Sequence, residues 1–140
     1  MKILVPVDGS EFSRHLLAWL SAHDEWLAES HSYTLLNVSL PVPVRAAAVV
    51  DRQALAGYYA EQSERVFKPM RRYFAKKPLD VNYRSVVGNP GEVIAQIAQR
   101  ESFDLVMMGS HGHGALLNMV LGSVATQVLA RCKVPVLLIR

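Results

Sequence analysis

Along the 140-residue chain, short apolar blocks alternate with longer amphipathic stretches. KILVPV at 2–7 is a brief apolar run closed by the turn residues DGS, which predicts a strand ending at Asp8. From Ser10 the period changes. Phe12, Leu16, Trp19, Leu20, Ala22 and Leu27 recur roughly at helical spacing within residues 10–30, with Ser10 or Ser13 available as N-cap and Glu11 in the first turn. SYTLLNVSL at 32–40 is too short and too apolar for a surface helix and predicts a strand buried on both faces. Pro41 and Pro43 block regular structure across 41–50, and a long helix follows from about Asp51 to Lys76. Leu55, Tyr58, Tyr59, Val66, Met70 and Tyr73 supply its apolar face, and Pro69 is expected to kink it. LDVNYRSVV at 79–87 alternates as a strand, and Pro90 opens a helix to about Glu101. FDLVMMG is a second buried strand, residues 122–131 form a helix, and VPVLLIR closes the chain as a strand.

The order that results is five strands alternating with four helices, without an internal repeat, in one domain spanning 1–140. It predicts an α/β fold of Rossmann-like type: a doubly wound, five-stranded parallel sheet with helices on both faces. Ligands in such sheets bind beyond the carboxyl ends of strands where the strand order reverses. With the order 3-2-1-4-5, that crevice opens between strands one and four. The turns there are VDGS and GSHGHG.

Composition narrows the function. Hydrophobic residues make up 51% and charged residues 19%, enough for a substantial core and unlike a disordered chain. The net charge is +3, but Lys and Arg are scattered, so no nucleic-acid partner is expected. No apolar run reaches the ~18 residues of a membrane helix, and no membrane partner is expected. The single Cys132 cannot form an internal disulfide, and Met1 leads directly into a strand without the features of a secretory signal. A cytoplasmic location is the expectation.

MMGSHGHGALLNMVLGSVATQVL, residues 107–129, holds four glycines where a strand leads into a helix. Glycine accepts positive φ and lets a ligand approach the backbone, so the cluster suggests N–H groups curled around an anion. The helix opening at LGSVAT adds free N–H groups, a favourable dipole and the Ser123 hydroxyl. Equally, these glycines would serve a tight turn and close helix–sheet packing. A P-loop would need a lysine after its last glycine, where this chain has Ser123 and Val124, and GSHGHG lacks the G-x-G-x-x-G spacing.

The stretch does read Gly109-x2-Gly112-x9-Gly122-Ser123. Together with ILVPVDGS at the start and LGSVATQVLARCKVPVLLIR at the end, it resembles the nucleotide-binding branch of the universal stress protein family, over nearly the whole length. The resemblance implies bound ATP or another adenine nucleotide, with Mg2+ beside it. It places Pro6, Val7 and Asp8 at the end of strand one, with Asp8 near the nucleotide through the metal ion. Val38, at the end of strand two, would offer its backbone to the adenine edge. Met108, Gly109, Ser110 and Gly112 would approach ribose and phosphates, and Gly122, Ser123 and Val124 would receive the phosphate tail. His111 and His113 depart from the pattern, since relatives often carry Arg or other polar residues in this loop. Histidine titrates near neutrality, so binding is expected to tighten between about pH 8 and pH 6. The two flank Gly112 without a third ligand at zinc spacing, which favours magnesium held by Asp8 and phosphate oxygens over a dedicated transition-metal site.

The resemblance further implies a stress-response sensor or regulator, and a homodimer joined through the C-terminal edge strand, whose unpaired backbone invites a partner. Two rivals stand beside it. One is an enzyme, a slow ATPase or an autophosphorylating protein using Ser110 or Ser123 as acceptor. The other is a nucleotide-free, homodimeric interaction module whose glycines are structural. An acyl-transfer triad is disfavoured because the G-x-S-x-G elbow is absent and adjacent Ser110 and His111 are poorly disposed as nucleophile and base. PVPVRAAAVV is more apolar than a solvated loop and reads as a lid, a subunit contact or the lead-in to the second helix.

Overall fold

The computed structural model describes residues 1–27, 31–77, 79–112 and 121–140. Five parallel strands form one sheet in the order β3-β2-β1-β4-β5: β1 Lys2–Pro6, β2 Ser32–Ser39, β3 Asp80–Val87, β4 Leu105–Gly109 and β5 Val136–Ile139. Helices α1 Glu11–Ala22, α2 Val44–Ala47, α3 Arg52–Phe74, α4 Pro90–Arg100 and α5 Ser123–Arg131 connect them.

The strand pleat divides the core into two layers. Ile3 and Val5 of β1 join Tyr33, Leu35 and Met107 under α1 and α3, while Leu4 joins Leu36, Val106 and Met108 under α4 and α5. Central strands therefore read as continuous apolar runs because both faces are covered. β3 lies at an edge and is only partly covered: Val81 and Tyr83 pack on one core layer, Val86 on the other, and the remaining residues are exposed.

Several boundaries differ from the sequence reading, each for a local reason. β1 ends at Pro6, short of Asp8, because Gly9 takes φ +78° and turns the chain away. α1 stops at Ala22 because His23 intervenes. Its Nδ1 hydrogen-bonds the Trp19 carbonyl at 2.8 Å, the acceptor its own N–H would use in a continuing helix, and that N–H goes to Leu20 instead. A single 3-10 turn, Asp24–Leu27, follows. The proline-rich 41–50 contains the short α2, with Pro43 as its N-cap. α3 is capped by the Asp51 side chain, which accepts from the Gln53 and Ala54 N–H groups, and runs through Pro69. Its core-facing stripe is Ser63, Phe67, Met70 and Phe74, at spacings of four, three and four. Of the six positions expected to supply the apolar face, Met70 is in that stripe and Val66 and Tyr73 pack against the same core from its flanks. β5 begins at Val136, two residues later than expected.

Candidate functional site

A cleft of about 640 Å3 opens beyond the carboxyl ends of β1, β2 and β4, at the reversal of strand order. Its β1 wall is Pro6, Val7 and Asp8. The Asp8 carboxylate is built into its turn: Oδ1 accepts from Ser10 N–H (2.9 Å) and Ser13 Oγ (2.9 Å), and Asp8 N–H donates to Ser13 Oγ (3.1 Å). Oδ2 faces the opposite turn, where a Cβ on Gly112 would stand 2.5 Å from it. Glycine at 112 is what lets the two turns meet.

The β4 wall consists of Met108, Gly109, His111 and Gly112, continued by Gly122, Ser123 and Val124 at the start of α5. Here backbone packs on backbone. Gly122 N–H donates to Ser110 C=O at 2.8 Å, and a Cβ on Gly122 would lie 3.0 Å from His111 Cα and 3.1 Å from that carbonyl. A Cβ on Gly109 would lie 2.8 Å from Phe12 Cβ. Among the described residues Gly9 alone of the glycines has positive φ, so Gly109, Gly112 and Gly122 serve close approach and not a left-handed backbone. Gly122 is the N-cap of α5 and makes no side-chain cap, which leaves the first-turn N–H groups of that helix directed at the cleft beside the exposed Ser123.

Ser110 is the predicted residue that the fold turns away. It is fully buried and does not line the cleft, because its N–H donates to Ile139 C=O at 2.8 Å and locks the turn to β5. Its Oγ lies 3.0 Å from His111 Nδ1, so the neighbours do form a hydrogen bond, contrary to expectation, but the hydroxyl is closed off from any substrate. The His111 ring packs on Phe12 at 5.0 Å between centroids. His113 and Gly114 lie outside the described residues.

The third wall is β2 with α3. Val38 lines it, as do Asn37, Leu40, Tyr58, Tyr59, Gln62 and Val66. Tyr59, Gln62 and Val66 follow one another at helical spacing, a second stripe of α3 beside its core stripe. Tyr59 hydroxyl accepts from Val42 N–H at 2.8 Å and ties the proline-rich segment to the cleft mouth. The sequence reading missed Asn37 and Gln62. Their signal was available: an amide inside the apolar TLLNVSL, and a second polar position four residues before Val66.

The cleft thus has an apolar end between β2 and α3 and a polar end of backbone N–H groups. Its described lining carries no Lys or Arg; Asp8 is its one acidic residue and His111 its one histidine. No cluster of three or more His, Cys, Asp or Glu exists among the described residues. A single carboxylate suits magnesium that takes its remaining ligands from phosphate and water.

A model of the universal stress protein family matches residues 1–140. A universal stress protein of Thermus aquaticus is 32% identical over 141 residues, covering 99% of this chain and 97% of the relative. Among solved structures, the hypothetical protein MJ0577 of Methanocaldococcus jannaschii superposes with a TM-score of 0.81 at 29% identity, covering 99% of this chain and 94% of that one. An Arabidopsis thaliana family member with AMP bound shares the fold at a TM-score of 0.70 and 16% identity, covering 99% and 90%. Relatives differ in length: the chain spans 42% of a longer universal stress protein of Synechocystis.

Proposed function

The chain belongs to the universal stress protein family, and from that premise we propose that its cleft binds an adenine nucleotide, ATP with magnesium, and that the protein is a stress-response regulator whose state follows the bound nucleotide. The observation that carries the reading is the division of the cleft: an apolar end lined by Val38, Leu40, Tyr58 and Val66, and a polar end where backbone N–H groups converge. The purine lies against Val38, between Pro6 and the Tyr59–Val66 stripe of α3. Gly109 and Gly112 leave room for ribose and the first phosphates, and the α5 N-terminus with Ser123 takes the phosphate tail. Asp8 holds magnesium against the phosphates, and the ion supplies the positive charge that lysine or arginine would otherwise bring. The AMP carried by the Arabidopsis fold relative supports the ligand class.

The partner we propose is a second copy joined through β5, one of the two edge strands, in the cytoplasm. No described helix is long and apolar enough to cross a membrane. A monomer by light scattering at micromolar concentration would remove the dimer from this reading.

Calorimetric titration of ATP with magnesium tests the site, comparing the native chain with Ser123→Glu. Ser123 is exposed in the first turn of α5, where a carboxylate suits the helix dipole yet opposes phosphate. The variant should fold as well as the native chain, bind ATP at least about tenfold more weakly through charge repulsion, and bind adenosine unchanged. A native chain giving neither heat nor competition would overturn the reading.

A further inference from the structure

Asn37 is a buried amide in the middle of an apolar strand, 5% exposed and fully engaged. Its Nδ2 donates to Val7 C=O at 2.9 Å, and its Oδ1 accepts from Ser63 Oγ of α3 at 3.1 Å. The first of these bonds stands where a backbone bond belongs. β1 and β2 pair in parallel up to Pro6 and Leu36, and the next rung, Val7 N–H to Leu36 C=O, is made at 2.9 Å. A continuing ladder would bring Val38 N–H to Val7 C=O, and Gly9 N–H to Val38 C=O. Neither bond forms. Asn37 occupies the Val7 acceptor, and Gly9 has turned away at φ +78°.

The consequence falls on Val38. On the β3 side, Ser39 C=O accepts from Gly88 N–H, and Leu36 C=O is used on the β1 side, so by the two-residue alternation Val38 directs its N–H and C=O past the end of β1. That is the cleft it lines. We propose that Asn37, braced by Ser63, is a positioning residue that ends the β1–β2 ladder one rung early and so reserves the Val38 peptide as a donor–acceptor pair for a 6-aminopurine. Adenine offers N1 as acceptor and its 6-amino group as donor, matching the Val38 N–H and C=O. A 6-oxopurine inverts both, with an N1–H donor and a carbonyl acceptor, and is rejected. This selectivity rests on the nucleotide reading above, whereas the interrupted ladder does not.

Amide hydrogen exchange on the nucleotide-free chain and AMP-against-IMP titration separate the two. In the native chain, Val38 N–H should exchange about 100-fold faster than Leu36 N–H, whose ladder position is paired, and AMP should slow it. Replacing both side chains, Asn37→Leu with Ser63→Ala, strands neither partner of their bond and frees Val7 C=O to take a new donor. Val38 N–H should then close onto Val7, its exchange falling to the Leu36 level without nucleotide, and the preference for AMP over IMP should drop about tenfold, the loss of one hydrogen bond. Asn37→Asp, which keeps the acceptor for Ser63 and loses the donor to Val7, should move both readouts the same way and serves if the double variant fails to fold. Slow Val38 exchange in the native, nucleotide-free chain would overturn the proposal, as would an unchanged AMP-to-IMP ratio in a folded variant. A native chain that binds no AMP would overturn this selectivity and the nucleotide reading together, while an unchanged ratio would overturn only the role of Asn37.

Discussion

The two turns that face each other across the crevice are built on opposite plans. After β1, side chains hold the backbone: the Asp8 carboxylate collects Ser10 N–H and Ser13 Oγ, and the serine returns a bond to Asp8 N–H. After β4, backbones hold each other, Ser110 to Ile139 and Gly122 to Ser110, in a space that exists because Gly122 carries no Cβ. Polar bonds can be removed one at a time, each costing its own increment. A space closed on backbone atoms has no such gradation, since any Cβ there must displace the chain. The crevice therefore has one tolerant lip and one intolerant lip, and the N–H groups at the start of α5 lie on the intolerant one.

Gly122→Val gives the largest effect. Its Cβ would meet His111 Cα and Ser110 C=O, atoms that cannot rotate aside, so we expect about 3 kcal/mol of lost stability in denaturant unfolding, near the upper range of overpacking costs. ATP binding should vanish in calorimetry because the loop and the α5 N-terminus separate. A variant that unfolds as the native chain does and still binds ATP would show that the β4 lip is as forgiving as the other.

Asp8→Ala comes second. It removes two acceptor bonds from a half-buried turn and leaves Ser13 Oγ with a single partner, for an expected loss of about 2 kcal/mol. Its separate signature is in the ligand. Magnesium should no longer strengthen ATP binding, while binding without metal persists at the β4 lip. If magnesium still strengthens binding in the variant, the carboxylate has no part in holding the ion.

The contrast also explains what could be read from the chain beforehand. The alternation of strands and helices, and with it the doubly wound parallel sheet, was legible because central strands such as ILV and LVMM are apolar on both faces and only a sheet covered by helices buries them. The order 3-2-1-4-5, which the structure has, is not dictated by that pattern, because other doubly wound orders bury the same strands. The glycine positions were legible as a cluster, but their reason was not. Spacing cannot distinguish a glycine needed for φ from one needed for contact, and Gly109, Gly112 and Gly122 are of the second kind. Ser110 was misplaced for a related cause: its direction is fixed by Ile139, some thirty residues away. In α3, two apolar stripes run side by side, Phe67, Met70 and Phe74 toward the core and Tyr59 toward the cleft, with Val66 touching both. Helical period reports that a face is apolar, not which neighbour covers it.

Gly9→Ala gives the smallest effect and asks whether the tolerant lip has a rigid point of its own. Two causes would act on the new methyl group. Gly9 has φ +78°, where an L-residue costs about 1 kcal/mol, and the Cβ would stand 3.3 Å from Val66 Cγ2. The second contact is soft, because it meets the end of a side chain on α3, which can give by a few tenths of an ångström. We therefore expect about 1 kcal/mol of destabilisation in denaturant unfolding, arising from the backbone. Repeating the substitution in a Val66→Ala background separates the causes: a cost that persists belongs to φ, and one that disappears belongs to packing. Gly9→Asn sharpens the result, since asparagine tolerates the left-handed region better than alanine and should recover part of the loss despite its greater bulk. If asparagine proves worse than alanine, contact decides at this turn as well, and both lips of the crevice are governed by space.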